Sequence, residues 1–150
     1  MSNDVRPVLV TLTSFARTAT EEDQPMRLRC SGQLRTTATG CMLRYQEIQK
    51  DEESGQSISQ DVILALQPDR VTMTRLGAYG TTMVFVKDRR FEGAYRTPFG
   101  ELELALFATQ VNVNMGPDSG SVHLEYQLDM QGSYAAVQVI DVTYTAEGAC

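Results

Sequence analysis

"RFEGAYRTPFGELELALFATQ", residues 90–110, is the stretch from which the fold can be read. In Thr97-Pro98-Phe99-Gly100 the proline presets φ at the second turn position and the glycine closes the fourth, as in a type I turn. Pro98 also holds Thr97 in extended geometry. FEGAYR leads into the turn, and ELELALF leads out with Leu102, Leu104 and Leu106 on one face and Glu101 and Glu103 on the other. The stretch therefore reads as an antiparallel hairpin with one buried face. It carries no nucleophile, metal box or phosphate loop.

The same period of two runs along most of the chain, and no helical period interrupts it. In VLVTLTSF, Val8, Val10 and Leu12 share a face; in MRLRCSGQL, Met26, Leu28, Cys30 and Leu34 do. Cys41, Leu43 and Tyr45 alternate with Met42, Arg44 and Gln46, and Val62, Leu64 and Leu66 fall together. Val122, Leu124, Tyr126, Leu128 and Met130 stand against His123, Glu125, Gln127 and Asp129. AAVQVIDVTYT is apolar in part on both faces, which predicts deeper cover or a subunit contact. Short breakers (QPDR, VKDRRFEG, TPFG, GPDSG, MQGS) and two acidic loops, ATEEDQP at 19–25 and KDEESGQS at 50–57, separate the runs. Without helical crossovers the sheet cannot be parallel, and a long meander closes to remove its edges. The expected fold is all-β: one antiparallel up-and-down, calycin- or lipocalin-like barrel of about 8–10 strands over residues 1–150, with 1–5 and 146–150 as loose ends. A flattened barrel or two-sheet sandwich is the alternative.

Composition narrows the function. The chain has 150 residues, 42% hydrophobic and 21% charged, enough for one real core. Its formal net charge of -6 repels phosphate backbones and anionic membranes, so neither is an expected partner. No apolar run approaches the roughly 20 residues of a membrane-spanning helix. MSNDVRPVLV lacks a leader pattern, and Cys30, Cys41 and Cys150 are odd in number and widely spaced. Both point to reduced thiols in a cytoplasm. The single histidine, His123, has solvent-facing parity, and no zinc spacing, nucleophile elbow or calcium-loop ladder is present. No catalytic residue, metal or cofactor is expected.

Two residues break the face rule. Arg75 has the parity of Val71 and Met73, and Glu47 that of Leu43 and Tyr45. An inward charge is costly unless paired. Three readings stay open: the two pair with each other or with tyrosine hydroxyls; both reach water at strand ends; or Arg75 anchors the carboxylate of a bound ligand, helped by Tyr95 or Tyr126. A one-residue bulge would reverse the argument.

A resemblance covers about residues 26–132. VTMTRLGAYGTTMVF, YRTPFGELELALFATQ and SVHLEYQLDMQG resemble the uncharacterised bacterial calycin-like β-barrel family typified by YwiB. The matching positions are Arg75 and Gly77, Met83 and Phe85, Tyr95 through Gly100, and Leu124 through Leu128, with Tyr45 and Glu47 upstream. Thr81-Thr82 stands where the family tends to carry a basic residue before the methionine, which argues against anion binding by 76–82. The resemblance implies a barrel akin in fold to lipocalins and no established activity. The candidate ligand-contacting set is Arg75, Glu47, Tyr45, Tyr95, Thr97 and Tyr126, for a small apolar or amphipathic ligand in a monomer or homodimer. A filled barrel acting through its outer surface is the alternative.

Overall fold

In a computed structural model, which describes residues 5–17, 26–50, 55, 57–77 and 80–147, the alternating runs become ten strands. They are β1 (Val5–Arg17), β2 (Met26–Thr36), β3 (Cys41–Lys50), β4 (Ser57–Gln67), β5 (Arg70–Leu76), β6 (Gly80–Phe85), β7 (Arg90–Thr97), β8 (Gly100–Met115), β9 (Ser119–Met130) and β10 (Ser133–Ala146). Each pairs antiparallel with its sequence neighbours, and β1 pairs with β10 to close the barrel. The sandwich alternative is thereby set aside. The acidic loops 19–25 and 51–56, and Cys150, lie outside the described residues, apart from Gly55.

The 90–110 stretch forms the expected hairpin, with β7–β8 register running from Arg90↔Phe107 to Thr97↔Gly100. Its glycine has a conformational reason: Gly100 takes φ +129°, where a side chain would strain the backbone. The Thr97 hydroxyl donates to the Gly100 carbonyl at 2.8 Å and accepts from the Phe99 N–H at 3.1 Å.

Two bulges reset the faces. At Thr109 the β8–β9 register shifts between Ala108 and Gln110, so the inward set changes from Leu104, Leu106 and Ala108 to Val111, Val113 and Met115. A second shift lies between Tyr134 and Ala136 in β10. Two pairings are also short. The β2–β3 register runs from Gly32↔Tyr45 to Thr36↔Cys41, so Met26–Ser31 and the β3 residues after Tyr45 part from one another. β6 and β7 pair at Gly80↔Arg96 and Thr81↔Tyr95, because the next connection leaves β7 and bridges to β8 through Lys87↔Ala108.

The up-and-down order places the β1–β2, β3–β4, β5–β6, β7–β8 and β9–β10 connections at one end, here the mouth. Toward the other end, side chains fill the lumen. Val8, Val10, Leu43, Leu64, Leu66, Val71, Met73, Phe85, Leu106, Leu124 and Val142 are almost fully buried there. The Phe85 ring meets Tyr126 edge-on, centroids 4.8 Å apart and planes at 61°. On the outer face of β10, Val139 is buried within the chain and Val137 is half-buried, as the two-faced apolar pattern predicts.

Packing should therefore be unequal along the barrel axis. Leu64→Ala, in the solid half, should cost about 3–5 kcal/mol, the transfer term plus a new cavity. Leu128→Ala, on a partly open wall at the mouth side, should cost about 1–2 kcal/mol, the transfer term with little added void. Urea unfolding midpoints of the two variants check this; equal costs would mean equal packing at both ends.

Candidate functional site

The mouth half of the lumen holds a cavity of about 490 Å³. Its walls differ. On the arc β3–β7, Glu47, Arg75, Thr81 and Tyr95 give it polar atoms, with Met83 among them. On the arc β8–β10, β1 and β2 it meets Leu104, Leu128, Met130, Ile140, Leu12 and Leu28, with Ser14, Tyr126 and Gln138 as neutral polar exceptions. Arg27 and Ile48 have outward parity, yet they line the cavity where β2 and β3 part. The cavity thus reaches the gap between these two strands. Met26, Ile48, Leu76 and Phe99, all exposed apolar residues, stand at the same end of the barrel.

Arg75 and Glu47 point inward, as parity predicts, and meet. Arg75 Nη2 donates to Glu47 Oε1 at 3.4 Å, a single long contact for a fork with five N–H donors. The Glu47 side chain is 9% exposed and that of Arg75 26%. Arg75 Nε and Tyr45 Oη are buried without a hydrogen-bond partner among the described residues. The pairing reading of the two charges is the one the geometry realises; the strand-end reading is not. The carboxylate-anchor reading meets an obstacle, since a ligand carboxylate at Arg75 would also face the Glu47 carboxylate.

The other expected residues divide. Tyr95 and Tyr126 line the cavity. Burial pushes the Tyr126 phenol up to about 12, opposed in part by the Arg75 charge. Tyr45 is buried beside the ion pair but does not line the cavity, and burial with the Glu47 charge raises its phenol well above the usual range. Thr97 caps its own hairpin and also stands off the cavity wall. Sequence reasoning passed over Ser14, Thr81 and Gln138, although each is a polar residue at inward parity (the rule that flagged Arg75).

Among the described residues, Cys30 is the thiol nearest the ion pair that shows a resolved shift. Burial, with the Glu47 charge adding, raises the Cys30 thiol, which disfavours the thiolate. His123 lies elsewhere, on the outer face between Asp141 and Glu125. Its Nδ1 is 2.5 Å from Asp141 Oδ1 and its Nε2 3.4 Å from Glu125 Oε2. Both ring nitrogens face carboxylates, which leaves neither to take a proton from a nucleophile. Among the described residues no group of three or more His, Cys, Asp or Glu side chains could hold a metal ion.

The family described as a domain of unknown function, DUF1934, matches residues 10–142, and the chain belongs to it. The chain is similar in fold to the solved crystal structure of the ywiB protein from Bacillus subtilis, with a TM-score of 0.80 at 18% identity, over 95% of this chain and 92% of that one. No curated protein matches.

Two outcomes follow for the charges. Glu47→Ala should destabilise the fold, by less than the about 3–5 kcal/mol typical of a fully buried pair, because Arg75 keeps some solvent contact. Adding Arg75→Met should recover most of that loss; a double-mutant cycle in urea measures it, and strictly additive losses would show no pairing. His123 should titrate above 6.5, raised first by its Asp141 hydrogen bond, and Asp141→Asn should lower it in an NMR titration. The sign is fixed by linkage: the raised value stabilises the fold fully below 6.5, and this stability is lost as pH rises through the folded value.

Proposed function

We propose that the protein is a cytoplasmic binding barrel that takes a small apolar or amphipathic molecule into the mouth half of its lumen. The observation that carries this is the cavity of about 490 Å³, mostly apolar with a few converging polar groups. Ligand sites of about 300–1,000 Å³ have this composition. The closed-barrel architecture supports the same reading by analogy, since closed barrels of similar size can hold one small ligand inside. The free thiols of Cys30 and Cys41 fit a reducing compartment.

The competing reading, a filled barrel acting through its outer surface, has less behind it. The lumen is solid only in the half away from the mouth, and Val139, which suggested a subunit contact, is covered within the chain.

The neutral fluorophore N-phenyl-1-naphthylamine tests the proposal. It should brighten and shift to the blue on titration, saturating at one per chain. Leu128→Trp, which fills the cavity, should weaken this at least about tenfold while the fold is retained by circular dichroism. No binding, or binding indifferent to Leu128→Trp, would overturn the proposal.

A further inference from the structure

We infer that the cavity selects ligands whose polar end is neutral and presents an acceptor beside a donor, as an amide or lactam does, over ligands ending in a carboxylate or an amine. This rests on the cavity being a binding site, and it departs from the expectation that an inward arginine anchors an anion.

The ionic groups that point into the lumen among the cavity-lining residues are Arg75 and Glu47, and they form one pair. Their charges cancel at any distance large against 3.4 Å, so the pair offers a local dipole and no net charge. A ligand carboxylate placed beside it gains from Arg75 and loses to Glu47, and an ammonium does the reverse. Neither gain offsets the cost of stripping water from an ion. A neutral polar group loses far less on leaving water, and the dipole remains available to it.

Hydrogen-bond pattern then decides among neutral groups. Arg75 has N–H donors beyond its single contact to Glu47, and about a quarter of its side chain is accessible. The Glu47 carboxylate can accept more than the one bond it receives. A donor face beside an acceptor face matches a carbonyl oxygen next to an N–H. The neutral polar lining groups on the apolar arc, Ser14, Tyr126 and Gln138, add no charge. Arg27 is the other cation among the lining residues, but it is exposed on the outer side of the β2 edge, where water and salt screen it. The chain as a whole, at -6, adds no attraction for anions.

The test is a displacement series against bound N-phenyl-1-naphthylamine at neutral pH, using decanamide, decanoate, decylamine and decanol, which share one apolar chain. Decanamide should displace the probe at concentrations about tenfold below decanoate and decylamine, with decanol between. Glu47→Gln, which keeps the shape and removes the opposing carboxylate, should bring decanoate level with decanamide or ahead of it. Decanoate equal to or better than decanamide on the unaltered protein overturns the inference and leaves the binding barrel standing. So does a bound probe that none of the four displaces. A probe that fails to bind at all overturns the binding barrel itself. If Glu47→Gln does not fold, the ranking on the unaltered protein decides alone.

Discussion

Closure sets the terms for everything else in this molecule. Ten antiparallel strands close the sheet on itself, with β2 and β3 parting only at the mouth side, and they enclose a wider lumen than about eight strands, whose interior side chains can just fill. Large aliphatic and aromatic residues fill the half away from the mouth, where Phe85, Leu43, Leu64, Met73 and Leu124 interdigitate. The mouth half has Ser14, Thr81 and Gln138 at inward positions instead, together with a charged pair that resists full desiccation. A solid half holds the fold, and an open half is left for chemistry.

The Arg75–Glu47 contact links the halves. It sits where the lumen changes from packed to open, with Tyr45 buried on one side and the cavity on the other. Sealing it in apolar surroundings would strip water from two ions at once. Leaving one side of the guanidinium open to the cavity avoids part of that cost and leaves polar groups aimed at whatever enters. The parting of β2 from β3 brings the cavity to the barrel side at Arg27 and Ile48.

Much of this was legible in the sequence, for a physical reason. Period-two alternation survives wherever one face is buried, so an antiparallel barrel of about 8–10 strands, the hairpin at 97–100 and the inward parity of Arg75 and Glu47 could all be read. What alternation cannot carry is register beyond a bulge. The extra residue at Thr109 flips the inward face of β8, and nothing in "LFATQVNVN" marks it. Nor does parity say how deep an inward residue lies. Tyr45 shares a face with Glu47 yet is sealed in, while Tyr95 and Tyr126 reach the cavity. Thr97 was drawn into the candidate set by the motif around it, but its hydroxyl is spent on its own turn.

The central claim is that the open half of the lumen exists to be occupied. Its most direct test is native mass spectrometry of the protein isolated from the cells that make it, followed by a denatured spectrum of the same sample. The account predicts a reproducible added mass in the first spectrum that disappears in the second and belongs to a neutral organic molecule. The bare mass of the chain in both spectra would contradict it.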